Sequence, residues 1–291
     1  MSSIRLHGNE PALQGGFAEA GAWTRARADG AGRLLLAGAF IGLGVLGLAT
    51  GDFAAVWQRI PIEGMPGQTP LAIACGAIEL ALGVGLIVRT TLAPTARALV
   101  AFLLLWAILL KLPAVIWVPQ MLATWLGLGE IVVMLAGAWI LFAAHPGLWA
   151  TRRLRFAVGA RGVRSARLLF ALALPTIGLS HFVYATQTAA LVPPWLSAPL
   201  ASAYLTGAGN LAACLAIAFG VVPRLAATLE ALMLAAITIL VWMPGISSSP
   251  TTQFQTTGFL ISAAIAAGAW IVADSYRGSP WISTGAARII R

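Results

Sequence analysis

The sequence predicts an all-α polytopic membrane protein, with eight transmembrane helices arranged as two parallel four-helix units. Three observations carry this reading. Of 291 residues, 59% are hydrophobic and only 9% are charged, with a mean hydropathy of +0.89. The apolar residues gather into eight long stretches. The basic residues gather between them on one side. A soluble domain carries roughly 25% charged residues, so composition excludes a typical soluble enzyme, a disordered chain and a disulfide-rich secreted scaffold.

Crossing a hydrocarbon core of ~30 Å at about 1.5 Å per residue takes about 20 apolar residues. The stretches that meet this run approximately 33–52, 70–88, 94–112, 121–143, 166–186, 202–222, 224–243 and 256–273. Interior residues such as Pro175, Gly38, Gly42, Gly44 and Gly47 are tolerated in membrane helices, where small residues also permit close helix contact. A β-barrel would need alternating strands of about 10 residues. Leu99–Leu110 and Ile131–Ala144 are apolar all round, which excludes it. The first 30 residues are mixed and polar and lack the apolar core of a signal peptide.

With eight spans both termini share a side, and 16 of the 18 basic residues fall on it, against Arg59 and Lys111 on the other. By the positive-inside rule that side is cytoplasmic. The excess of +9 therefore reads as a topology device in contact with anionic lipid, not as a nucleic-acid surface. Loops on the opposite side repeat proline and tryptophan around Trp57, Trp117 and Trp195. They read either as a lid over the helix ends or as an ordinary interfacial aromatic belt.

An internal duplication organises the chain. Gly76-Ala-Ile-Glu-Leu matches Gly207-Ala-Gly-Asn-Leu at a shift of 131. The same shift maps Pro113 to Pro244, Gly127 to Gly258 and Gly137-Ala-Trp-Ile to Gly268-Ala-Trp-Ile, while Arg33-Leu-Leu maps to Arg167-Leu-Leu at 134. The expected organisation is a cytoplasmic tail (1–30), a first unit (31–144), a basic linker (145–164), a second unit (165–276) and a second tail (277–291). An even number of spans per unit makes the repeats parallel, unlike the inverted repeats of many transporters.

The second unit carries a family resemblance. Gly178-Leu-Ser-His-Phe is followed by Val192-Pro-Pro-Trp-Leu, then by Tyr204-Leu-Thr-Gly-Ala-Gly-Asn-Leu and Arg224-Leu-Ala-Ala. This resembles the DoxX-like four-helix membrane proteins, relatives of the DoxD subunit of thiosulfate:quinone oxidoreductase and of MauE. The first unit is similar more loosely, through Gly76-Ala-Ile-Glu79. Asn210 stands where the family pattern has Glu, and Gly47 stands in the first unit where the second has His181. The resemblance implies a bacterial inner-membrane component of a redox system that binds a quinone or a lipid-like ligand, with a peripheral or periplasmic redox partner.

Ionisable groups inside a span cost about 2.5–3.5 kcal/mol on insertion scales and mark functional candidates. Here they are Glu79, Lys111, Glu130, His181 and Glu230. Counting at 1.5 Å per residue puts Glu79 and Glu130 roughly 13 Å below the arginine-poor end and Lys111 roughly 10 Å below it. His181 and Asn210 are expected in the same layer, with Lys111 between two carboxylates. Such a layer suits ligand binding or proton exchange with a quinol. A structural polar layer in a scaffold or small-molecule carrier is the alternative, and whether the chain is an enzyme stays open. Glu230 is expected to pair with a basic residue near the arginine-rich end. Cys75 and Cys214 fall about 12 Å apart by repeat register, too far for a disulfide. No metal or haem is expected, since His181 is the single histidine well inside a span. Self-association is left open.

Overall fold

The computed structural model describes residues 30–54, 57, 66–247 and 251–283. Most of the expected N-terminal tail, Arg59 and the end of the C-terminal tail lie outside the described residues. Among those described, eight helices are long and apolar enough to cross a membrane, and no strand is present. The all-α polytopic class follows.

The spanning helices are α1 (Ala31–Thr50), α2 (Gln68–Ile87), α3 (Leu92–Trp117), α4 (Leu122–Ala144), α6 (Gly159–Val183), α8 (Pro199–Phe219), α9 (Pro223–Ser247) and α10 (Gln253–Ser275). Two short helices lie between them, α5 (Leu148–Arg153) and α7 (Ala185–Ala189). The segment expected as a basic linker thus contains α5 and the first turns of α6. Hydropathy marks where a helix meets hydrocarbon, not where it ends. Arg161 and Arg164 continue α6 beyond the apolar stretch, as long cationic side chains at a membrane interface allow.

The third span of each half ends later than its prolines suggest. Both α3 and α9 pass through a π-helical turn, Ala107–Lys111 and Thr238–Trp242, immediately before Pro113 and Pro244. The Leu112 N–H reaches back to the Ala107 carbonyl and the Met243 N–H to the Thr238 carbonyl. Proline cannot donate a backbone bond and crowds the preceding turn. Widening that turn lets the helix run on without a break. The two π turns are 131 residues apart, the offset that also relates the two prolines.

The helices form a closed circuit in chain order. Contacts run α1–α2–α3–α4–α6–α8–α9–α10, and α10 returns to α1. Further contacts cross the middle, a smaller one between α6 and α10 and a larger one between α4 and α10, which are two-thirds buried and the most enclosed of the spans. Glycine makes that crossing possible. A Cβ placed on Gly137 would lie 2.6 Å from the Cα of Gly268, and one on Gly268 would lie 2.9 Å from the Val133 carbonyl oxygen. Two further glycine crossings sit at equivalent places. Gly44 meets Gly76 between α1 and α2, and Gly178 meets Gly207 between α6 and α8, with would-be Cβ atoms 2.6 Å and 2.9 Å from the partner carbonyl oxygens. Backbones this close gain dispersion contacts that lipid cannot match.

Three arginines counted as topology markers also bond backbone carbonyls, two of them at helix ends. Arg33, only 5% exposed, donates to the carbonyls of Leu86 and, at 3.3 Å, Ile87, which end α2. Arg167 donates to the Ser275 hydroxyl at 2.8 Å and to its carbonyl, with its guanidinium 3.8 Å from the Tyr276 ring centroid. Arg224 donates to the Ser279 carbonyl at 2.8 Å and lies over Trp281. Carbonyls at a helix C-terminus have no partner in the helix, and a cation there also meets the favourable end of the helix dipole.

The central crossing yields a direct test. Gly137→Ala forces the α4 and α10 backbones apart and is expected to destabilise the protein by about 1–3 kcal/mol, the usual cost of overpacking. Gly38→Ala, where nothing lies within 4 Å of the added methyl, is expected to be close to neutral. Thermal unfolding of the two variants in one detergent checks the contrast.

Candidate functional site

Lys111 and Glu130 come together at the arginine-poor end. Lys111 closes the π turn of α3, and Glu130 sits in the third turn of α4. Both are partly buried, and their charges attract. Gly127, one turn before Glu130, leaves room for the ammonium: a Cβ there would lie 3.4 Å from Nζ. The equivalent notch in the second half is floored by Gly258 and filled by the Trp242 ring, where a Cβ would lie 2.1 Å from a ring carbon. One glycine-floored notch therefore holds a cation in one half and an indole in the other.

Trp57 completes the network. Its Nε1–H donates to a Glu130 carboxylate oxygen at 2.9 Å, while its carbonyl accepts from Trp106 Nε1–H at 3.0 Å. Its ring stacks on Phe254 at 6.0 Å between centroids and meets Trp242 edge-on at 5.9 Å. Trp242 and Phe254 also meet edge-on at 5.8 Å. The two halves of the chain are thus joined through three aromatic rings, one of which bonds the Glu130 carboxylate. Each contact of this kind adds about 0.5–1.5 kcal/mol beyond its buried area. Trp117 and Trp195, expected alongside Trp57, instead expose 73% and 70% of their surface. Of the three, Trp57 is the one that bonds a charged side chain.

Glu79 occupies a neighbouring place. It is 2% exposed, one turn below the Gly44–Gly76 crossing. It lines a cavity of about 10 Å³ with Gly47, Asp52, Ala54, Gly76 and Gln253. That is room for about one water molecule. Asp52, Ala54 and Gln253 line this cavity, while Trp57 and Phe254, close to them in sequence, belong to the cluster at Glu130. The Lys111 charge is coupled to that of Glu130.

Asn210 and His181 lie elsewhere, on the facing surfaces of α8 and α6. Asn210 is fully buried one turn beyond Gly207. Its amide donates to the Thr206 carbonyl at 2.9 Å, and its Oδ1 has no partner among the described residues. His181 falls in the last turn of α6, against Gly207, with Nδ1 unpartnered among the described residues. The single layer expected from depth counting resolves into a charged network and the Glu79 cavity in the first half, and an Asn/His pair of helix faces in the second.

Glu230 corrects an expectation. Instead of pairing with an arginine, it is 2% exposed on α9, and its Oε1 has no hydrogen-bond partner among the described residues. Its neighbours along the buried seam are Ala226, Ala227, Ala231 and Leu234. The arginine of that region, Arg224, is turned to Ser279 and Trp281 instead.

A lateral groove of about 240 Å³ opens between α4 and α6 at the same end, lined by Gln120, Trp125, Pro175, Thr176 and Leu179 among others. No group of histidine, cysteine or acidic residues capable of holding a metal ion occurs among the described residues.

Sequence reasoning did not find Trp106 or Phe254, and it noted Trp242 only as the tryptophan beside the last of the proline-bearing loops. The repeat contained a signal for one of them, since Trp242 stands 131 residues after Lys111.

Two stability tests follow. Lys111→Met and Glu130→Gln each leave the other partner buried and uncompensated. Each is expected to destabilise by about 3–5 kcal/mol, with the double variant well short of the sum; a thermal-unfolding double-mutant cycle measures the coupling. Glu230→Leu, by contrast, removes an unpartnered carboxyl and is expected to leave stability unchanged or raised. Compared with protein-family models, curated proteins and solved structures, the chain matches none of them.

Proposed function

We propose that this integral membrane protein binds a quinone or a similar carbonyl-bearing, lipid-like ligand at its arginine-poor end, as the membrane component of a redox system. The supporting observation is the membrane-embedded Lys111–Glu130 pair capped by Trp57. An ion pair within a span is costly, and such groups are characteristically functional. The ammonium offers three donors to a carbonyl ligand, and the carboxylate is a proton acceptor beside it. The resemblance of residues 178–210 to DoxX-like proteins points the same way. On this reading the arginine-rich end faces the cytoplasm of a bacterial inner membrane, and a redox partner approaches the Trp57 end.

A second reading is favoured by one specific feature. The Glu130 carboxylate is already engaged by Trp57 and Lys111, and the Glu79 cavity has room for about one water. A polar layer that satisfies itself suits a scaffold or carrier.

Ligand extraction separates the two. Protein purified from native membrane and extracted into organic solvent is expected to release quinone detectable by mass spectrometry, at a level sharply reduced in Lys111→Met. Wild-type protein that releases none refutes the quinone reading.

A further inference from the structure

We infer that the groove at the arginine-rich end, between the start of α3, the end of α4 and α5, is a binding site for an anionic phospholipid. The groove encloses about 150 Å³ and is lined by Ala93, Pro94, Arg97, Phe142, Gly147 and Ala150. Its lining is apolar except for one guanidinium. That pattern suits a molecule with a single anionic head and hydrocarbon beyond it. Arg97 lies 5.5 Å from the Trp149 ring centroid, which holds its planar fork at the mouth.

Charge favours the anion strongly. Arg152 and Arg153 close α5 beside the groove, Arg155 follows, and Arg89 lies just before α3. None of these five arginines has an acidic partner among the described residues; the ion pair at this end joins Arg277 to Asp274 at 2.8 Å. Guanidinium matches phosphate oxygens in a two-pronged geometry. Exposed apolar bulk is interleaved with the charge. Leu148 is 83% exposed, Trp149 55% and Phe156 68%. Leucine and aromatic side chains beside arginines place a segment at the boundary of head groups and acyl chains. α5 therefore lies in the membrane surface, its apolar side chains among lipid tails and its arginines at phosphate level. The groove takes the glycerol phosphate, with the chains running outside along α3.

A free phosphate ion would leave the apolar walls and Leu148 unused, so the occupant is a bilayer lipid. The site is independent of the Lys111–Glu130 network at the opposite end.

Native mass spectrometry of the full chain, from micelles containing equal phosphatidylglycerol and phosphatidylcholine, tests this. Wild type is expected to retain phosphatidylglycerol preferentially. Each arginine near an anionic surface is worth roughly a five-fold preference, so Arg97→Gln with Arg152→Gln is expected to lower retention at least about that much. The charge-matched pair Arg161→Gln with Arg164→Gln, on α6 and outside the groove, is expected to keep it. Ala93→Phe fills the groove and alters no charge; its expected loss of retention stands in if the arginine pair does not fold. Equal retention of the two lipids by wild type, or equal loss in the two arginine pairs, overturns the site.

Discussion

The contact between Gly137 and Gly268 is the constraint on which the rest of the architecture hangs. In a bilayer there is no hydrophobic gain in bringing two helices together, because lipid tails are as apolar as leucine. Association must come from packing closer than lipid can. α4 and α10 meet backbone to backbone at the centre, and every other spanning helix is placed relative to them. The glycine crossings at Gly44–Gly76 and Gly178–Gly207 repeat the device further out. In each outer pair the residue one turn beyond the crossing is polar and buried, Glu79 in one half and Asn210 in the other. Close approach and polarity are therefore built into the same stretch of helix.

Equivalent positions have been put to different use in the two halves. Lys111 and Glu130 occupy places that hold Trp242 and Ile261 in the second half, 131 residues on. The second half is apolar there and sends its indole across to meet Trp57 edge-on. The charged pair is thus roofed by side chains from both halves, while its backbone support comes from the first alone. The arginines follow a similar economy. Arg33 and Arg167, both at the arginine-rich end, also close the carbonyl ends of α2 and α10.

Span number and class were legible because hydrocarbon thickness imposes a length and an apolar composition that single residues cannot disguise. The glycines of the crossings stood out as repeated motifs, but which glycine meets which was not legible. Helix ends were less so, since α6 begins in an arginine-bearing segment and the π turns carry α3 and α9 past their prolines. Depth counting brought Lys111 and Glu130 together correctly because both lie within two or three turns of one membrane end. It could not separate Glu79 and Asn210 from them, because depth carries no information about which face of a helix looks inward. Trp57 lay in a loop, and its role depends on Phe254, some 200 residues away along the chain. Glu230 was misjudged because the nearest arginine in sequence turns to a different partner.

Because α10 returns to pack on α1, the helical circuit has no natural beginning. Gly30 abuts the Asp274 carboxylate, so the chain's first described residue lies against the close of its last span. The covalent link through α5 and the open junction between α10 and α1 are two alternative seams in one loop of helices. Each half's last helix packs on the first helix of the other, as it would in a pair of separate four-helix chains related by a two-fold axis. The architecture is that of a dimer written into a single polypeptide. A single chain need not repeat a residue at equivalent places, and here one notch holds an ammonium while its twin holds an indole.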